Sequence, residues 1–168
     1  MKPTHALFRL TRPSPIGALT LVATDAALVG LFMEAHASEP LITEAEDRRT
    51  PLLSTVSAQL DEYFAGRRER FDVPLAPRGT AFQTSVWAVL QRIPFGVTWS
   101  YAQVARALGT PKAVRAVGAA NGRNPISVII PCHRVIGADG SLTGYGGGLP
   151  RKRWLLAHEK TELSLVEG

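Results

Sequence analysis

The sequence predicts an α+β protein in two parts, a small strand-rich unit over residues 1–77 followed by a helical unit over 78–168. Three observations carry this reading. Apolar residues alternate in short runs along the first 33 positions, which is the period of a half-buried sheet. From Phe82 onward they recur instead at helical spacing. Charge changes sign between the two parts: residues 1–77 hold 8 Lys and Arg against 10 Asp and Glu, whereas residues 78–168 hold 11 against 4, a net of −2 beside a net of +7.

Taken in order, Leu7-Phe8-Arg9-Leu10, Leu19-Thr20-Leu21-Val22-Ala23 and Leu28-Val29-Gly30-Leu31-Phe32-Met33 read as three antiparallel strands. Pro13-Ser14-Pro15-Ile16-Gly17 makes the first turn and Asp25 to Ala27 the second break. Residues 34–50 are polar and contain Pro40, so a loop or a frayed region is expected there. Leu52, Leu53, Val56, Leu60, Tyr63 and Phe64 then mark a helix from Pro51, closed by Gly66. Phe71 to Leu75 reads as a last strand, and Ala76 to Gly79 as a linker.

In the second unit Phe82, Val86, Val89, Leu90 and Ile93 define a helix that ends before Pro94. Ser100 with Gln103 makes a capping box for the next, whose apolar positions are Tyr101, Val104, Ala105 and Leu108 before Gly109. Thr110 is the expected cap and Pro111 the first residue of a third helix running to Gly122. Two short helices joined by Gly109-Thr110 form a helix-turn-helix pattern, although many core helix pairs look alike. The third helix offers Ala113, Ala116, Gly118, Ala119 and Ala120, with only Lys112 and Arg115 as charges. Small residues allow a backbone to approach a narrow groove, where sequence information is poor, so DNA binding without sequence preference is expected. Packing against a neighbouring helix would give the same pattern.

Composition narrows the classes of function. A hydrophobic share of 45% with 20% charged residues is that of an ordinary globular chain. No apolar stretch approaches the ~18 residues of a membrane span. Met1 to Leu10 carries Lys2, His5 and Arg9 without an apolar core and cleavage site, which argues against secretion. One cysteine excludes a disulfide framework and any multi-cysteine zinc site, so neither metal nor cofactor is expected and a reducing cytoplasm is the expected setting. The basic half points to a polyanionic partner such as nucleic acid; a basic domain with no such partner is the alternative.

The single thiol lies in Ile130-Pro131-Cys132-His133-Arg134-Val135. A lone cysteine is usually a small buried hydrophobe, but here Pro131 stops a strand-like segment, Ser127 to Ile130, and puts the thiol at the start of a loop. His133 and Arg134 are expected to supply positive potential that favours the thiolate. On an extended backbone successive side chains leave on opposite sides, so no direct contact between Cys132 and His133 is expected.

Tyr101, Arg115-Ala116-Val117-Gly118, Asn124-Pro125, Ile130 to Val135, Gly144-Tyr145 and Leu155-Leu156-Ala157-His158-Glu159 together resemble the O6-alkylguanine-DNA alkyltransferases, over about residues 82–159. The resemblance implies a ribonuclease-H-like N-terminal unit and a winged helix-turn-helix-like C-terminal one. It implies irreversible transfer of an alkyl group from O6 of guanine in double-stranded DNA to Cys132, once per molecule, with the lesion flipped out of the duplex. O4-alkylthymine as a second substrate, and clustering of an otherwise monomeric protein along DNA, are left open. Arg115 would fill the vacated space, and Lys112, Ala113, Ala116 and Gly118 would face the groove. Tyr101 would act on the 3′ phosphate and donate a proton to the departing base. His133 would reach the thiol through a water, with Glu159 behind the ring, and Asn124 would tie the recognition helix to the active-site loop. Val135, Tyr145, Gly146 and Gly147 would form the pocket; Gly146 stands where mammalian relatives carry serine. Arg151-Lys152-Arg153 opens the last helix, an unfavourable end for cations, and a phosphate contact would explain it.

Activation of the thiol alone cannot suffice. A thiol of pKa about 8.5 is a few per cent ionised at neutral pH, so complete ionisation gains roughly 30-fold, near 2 kcal/mol. Positioning and protonation of the leaving group must supply the rest. Two other classes compete: a lesion-binding module of the alkyltransferase-like kind, which lacks the cysteine, and a cysteine hydrolase, which leaves the basic half unexplained.

Overall fold

The computed structural model describes residues 6–34 and 39–167, with side chains as far as Lys160. It divides after Arg78 into two compact units.

In the first unit, β1 (Phe8–Arg12), β2 (Leu19–Ala23), β3 (Leu28–Met33) and β4 (Glu46–Asp47) form a sheet of order β3-β2-β1-β4. The first three are antiparallel in sequence, with Leu10 opposite Leu21 and Leu21 opposite Leu31. Leu19, Leu21, Leu28 and Leu31 are fully enclosed. Helix α2 (Pro51–Phe64) begins where Thr50 Oγ1 accepts the Leu53 amide at 3.2 Å, with Pro51 fixing the first turn. It buries Leu53, Val56, Leu60 and Tyr63 and ends at Ala65, with Gly66 following at φ 78°. Arg12 spans from β1 to this helix, donating to the Ser57 carbonyl at 2.7 Å and pairing with Asp61 at 2.8 Å.

Two expectations for this unit need correction. The polar stretch 34–50 is not simply a loop: it contains α1 (Pro40–Thr43) and β4, which runs parallel to β1. The Glu46 amide donates to the Leu7 carbonyl at 2.8 Å, and the Arg48 amide to the Arg9 carbonyl at 3.2 Å. An edge strand with both residues exposed carries no apolar period, so nothing in the sequence marks it. Residues 35–38 of that stretch lie outside the described residues, as do Lys2 and His5. Phe71 to Leu75 forms no strand; only Leu75 bridges, to Leu28. Pro74 has no amide hydrogen to give, and Asp72 is held instead by the Gln59 side chain, at 2.8 and 3.1 Å.

In the second unit α3 (Ala81–Leu90), α4 (Tyr101–Leu108) and α5 (Val114–Gly122) pack through Val86, Leu90, Val104, Ala105, Val117 and Ala120, all buried. Both α3 and α4 carry complete capping boxes, Thr80 with Gln83 and Ser100 with Gln103. Trp87 Nε1 donates to the Ala120 carbonyl at 2.9 Å and fixes α3 against α5. The third helix starts at Val114, not at Pro111, and Thr110 caps nothing. The left-handed Gly109 closes α4, the Thr110 amide is spent on the Ala105 carbonyl at 3.0 Å, and the chain makes a turn in which the Ala113 amide donates to Thr110 at 2.9 Å. Proline at the second position of that turn serves the turn rather than a helix start. After α5 come a 3-10 turn at Cys132–Arg134, strand β6 (Val135–Ile136) parallel to β5 (Trp99–Ser100), and α6 (Leu149–Glu167). Among the described residues no helix is long and apolar enough to cross a membrane.

Candidate active site

The segment ahead of the cysteine is apolar because it is buried, not because it is a strand. Residues 127–130 form tight turns, with the Ile129 amide on the Ser127 carbonyl at 2.8 Å and the Ile130 amide on the Ile126 carbonyl at 3.0 Å. Val128 sits at φ 72°, a left-handed conformation that β-branched residues rarely take and that costs on the order of 1–3 kcal/mol. Asn124 holds it: its Nδ2 donates to the Ile130 carbonyl at 2.8 Å while its Oδ1 accepts the Ile126 amide at 3.0 Å. From the last turn of α5, Asn121 Nδ2 reaches the Cys132 carbonyl at 3.5 Å, which joins that helix to the cysteine turn.

Cys132, His133 and Arg134 follow as one 3-10 turn, all buried, which removes the expectation of an extended backbone here. His133 turns inward, and its Nε2 lies 2.8 Å from Glu159 Oε2 on α6. Arg134 does not aim at the thiol. Its Nε and Nη2 donate to the two oxygens of Glu159 at 2.8 and 3.0 Å, and its Nη1 donates to the Ile93 carbonyl at 2.7 Å. The guanidinium therefore neutralises the carboxylate behind the ring.

Electrostatics follow from this arrangement. Burial pushes the Cys132 thiol up, only partly opposed by the Asn124 side chain and the Lys152 charge, and the positive potential expected from Arg134 is spent on Glu159 instead. Burial likewise pushes His133 down, against the pull of Glu159 and with the push of the Arg134 and Lys152 charges. For Glu159 burial alone would raise the carboxyl, but its bonds to His133 and Arg134 outweigh that and hold it well below the usual range. His133 is thus neutral with Nε2–H donating to Glu159. Its Nδ1 lone pair is buried with no hydrogen-bond partner among the described residues.

Lys152 is a site residue that the sequence reading missed. It is fully enclosed, and its Nζ donates to the Val135 carbonyl at 2.7 Å and the Thr143 carbonyl at 3.0 Å. It is no phosphate contact. Arg151 is also turned inward, to the Gly147 carbonyl at 2.8 Å, and only Arg153 is exposed. The signal was available: Lys152 stands three residues before Leu155 and seven before Glu159, on the helix face those buried residues share.

The remaining expected residues fall into two groups. Val135 is buried in β6, and the Tyr145 phenol is pushed well up, chiefly by burial. The Tyr145 oxygen makes no close hydrogen bond among the described residues, though the Ser127 side chain is near enough to moderate its acidity. Gly146 is exposed and Gly147 buried in the loop leading to α6. Tyr101 opens α4, its hydroxyl 2.9 Å from Thr143 Oγ1. On the other face, Lys112, Arg115 and Ala116 are exposed and Ala113 and Gly118 half-buried, whereas Ala120 turns to the core and leaves the proposed groove face. Gly118 lies beside Tyr101: a Cβ there would meet its ring at 3.9 Å, an ordinary contact. Among the described residues no cluster of three or more metal-ligating side chains occurs.

A helix-turn-helix with a small-residue outer face, joined through Asn121 to a buried Cys-His-Glu constellation whose preceding loop is held by Asn124, defines a cysteine-dependent protein of the DNA-handling class. Residues 7–77 match the ribonuclease-like domain, and residues 81–161 the DNA binding domain, of 6-O-methylguanine DNA methyltransferase. A methylated-DNA--protein-cysteine methyltransferase of Mycolicibacterium paratuberculosis is 51% identical over 150 residues, covering 89% of this chain and 90% of the relative. A constitutive methylated-DNA--protein-cysteine methyltransferase of Bacillus subtilis is 44% identical over 140 residues, covering 82% and 85%. The crystal structure of Mycobacterium tuberculosis O6-methylguanine methyltransferase superposes with a TM-score of 0.87 at 48% identity, covering 95% of this chain and 99% of that one. The Mycobacterium tuberculosis OGT in complex with DNA gives 0.84 at 49%, covering 92% and 93%. The chain belongs to the 6-O-methylguanine DNA methyltransferase family.

Proposed function

We propose that this protein repairs DNA by direct reversal, taking the alkyl group from O6 of guanine in double-stranded DNA onto Cys132 Sγ, irreversibly and once per molecule. The observation that carries the reading is the one cysteine in the chain, set in the family hexapeptide beside a neutral histidine whose acceptor nitrogen is unspent. A lesion-binding module without a nucleophile has no use for that thiol.

The chemistry follows from the site. The thiol is protonated at rest, so its proton leaves as the sulfur attacks, passing to His133 Nδ1 through one bridging water. Glu159 fixes the tautomer by accepting from Nε2 and steadies the imidazolium that forms. The sulfur–carbon bond forms as the carbon–O6 bond breaks, and the electron pair goes onto the base. Tyr101 supplies the proton that the departing guanine takes up, so the base leaves neutral. The target carbon is accessible only with the nucleotide outside the stack, at a cost of a few kcal/mol. Arg115 on the exposed face of α5 fills the gap, while Lys112, Ala113, Ala116 and Gly118 lie along the groove and Val135, Tyr145, Gly146 and Gly147 surround the base and its alkyl group. The working place is the cytoplasm, where the lone thiol stays reduced.

Incubation with a duplex containing radiolabelled O6-methylguanine should label the wild-type protein one to one and leave Cys132→Ala unlabelled. Label on Cys132→Ala, or many methyl groups removed per polypeptide, would overturn the reading.

A further inference from the structure

Tyr101 is held at one point by a residue with no role so far. Its backbone is set by the Ser100 capping box at the start of α4, and its ring lies beside Gly118. The phenol oxygen has one hydrogen bond among the described residues, to Thr143 Oγ1 at 2.9 Å. Thr143 is itself anchored, because its carbonyl accepts from the buried Lys152 at 3.0 Å. The same ammonium holds the Val135 carbonyl at 2.7 Å, on the strand paired to Trp99, two residues before Tyr101. Tyr101 is thus braced through Ser100 and β5 on its backbone side and through Thr143 on its hydroxyl side, and both braces end on Lys152.

We propose that Thr143 is a positioning residue for alkyl transfer, donating its hydroxyl hydrogen to the Tyr101 oxygen so that the phenol proton faces the departing base. This rests on Tyr101 being the proton donor. As sulfur bonds to the alkyl carbon and the carbon–O6 pair moves onto guanine, the phenol proton goes to the base and leaves a phenolate. The Thr143 O–H then donates to an anion, and a hydrogen bond to a charged acceptor is about twice as strong as one to a neutral oxygen. The thiol proton, left on His133, restores the phenol through solvent, so protons balance over the turnover. The gain falls in the transition state and not in the resting protein, which is where a rate effect must arise.

The test uses the full-length protein and measures the single-turnover rate of methyl transfer from O6-methylguanine duplex. Each rate is divided by the rate at which the same variant is alkylated by iodoacetamide, a reaction with no base to protonate. Thr143→Val, which keeps the shape and loses the hydroxyl, should lower the ratio about tenfold, the size expected when a charge-assisted hydrogen bond is removed. Thr143→Ser should bring it back to within threefold of wild type, and Thr143→Val added to Tyr101→Phe should change it by less than twofold. A Thr143→Val ratio equal to wild type, a failure of serine to rescue, or a full further loss in the Tyr101→Phe background overturns the proposal while leaving the repair function standing. If Tyr101→Phe itself transfers at the wild-type rate, the donor role falls and this inference with it. Wild-type protein that takes no label refutes the function as a whole.

Discussion

Arg134→Met makes an unusual signed prediction: the protein becomes less stable while its thiol becomes more reactive. Arg134 gives two hydrogen bonds to Glu159 and one to the Ile93 carbonyl, all buried. Breaking a buried ion pair on one side costs about 3–5 kcal/mol, out of a total stability of about 5–15 kcal/mol, so a large drop in urea midpoint is expected. The carboxylate that remains then acts on His133 alone. Burial is the main influence holding His133 down, Glu159 pulls it up and the Arg134 charge adds to the downward push, so removing the guanidinium moves the ring toward protonation. An imidazolium next to Cys132 favours thiolate, and since full ionisation of an ordinary thiol is worth roughly 30-fold at neutral pH, iodoacetamide alkylation should rise about tenfold. The histidine signals in NMR titration should show His133 gaining its proton at higher pH than in wild type. Leu21→Ala, a core truncation in the other unit, controls for exposure by unfolding and should give no such rise. Alkylation that is unchanged or slower in Arg134→Met, or equally accelerated in Leu21→Ala, would refute the view that the Arg134 charge helps burial to keep the histidine neutral.

Because burial holds the wild-type thiol above the ordinary thiol value, its alkylation rate should still be climbing at about pH 9, and a plateau below about pH 8 would contradict the assignment. Stability should fall in acid in two stages. His133 has a lowered folded pKa, so the unfolded chain binds more protons once pH drops below about 6.5, and Glu159, also lowered, adds its loss below about pH 4.3; urea midpoints that stay level from pH 7 to 4 would disprove the neutral buried histidine. DNA affinity should decline with salt, and Lys112→Ala should reduce the log–log slope by about 1, whereas an unaltered slope would remove Lys112 from the phosphate contacts.

Much of this site could be read from the chain because its chemistry is compressed into one hexapeptide and its outliers fall at fixed distances from it. The three opening strands and the helix at Pro51–Phe64 were equally legible, the helix from its periodic buried face and the strands from short apolar runs bounded by turn residues, β3 being buried throughout. What failed had a common cause: apolar sequence reports burial, not backbone shape. Ser127 to Ile130 looks like a strand because Ile126, Val128 and Ile130 are enclosed, yet the segment turns on itself around Asn124. Charges were misread for the converse reason. Arg134 and Lys152 carry formal charge in a basic half; helix spacing alone puts Lys152 on the face of Leu155 and Glu159, but the partners, Glu159 for one and two carbonyls for the other, come from the fold. Strand β4 and the turn before α5 rest on backbone hydrogen bonds alone, which no side-chain pattern announces.

The enclosed, proton-bearing sulfur of Cys132 has a consequence for the life of each molecule. A protein that spends itself in one reaction is ruined by any stray electrophile or oxidant, and those agents consume free thiolate. Keeping the reagent dormant until a substrate lies in the pocket trades intrinsic speed for shelf life, and so preserves the stock of unspent molecules on which repair capacity depends.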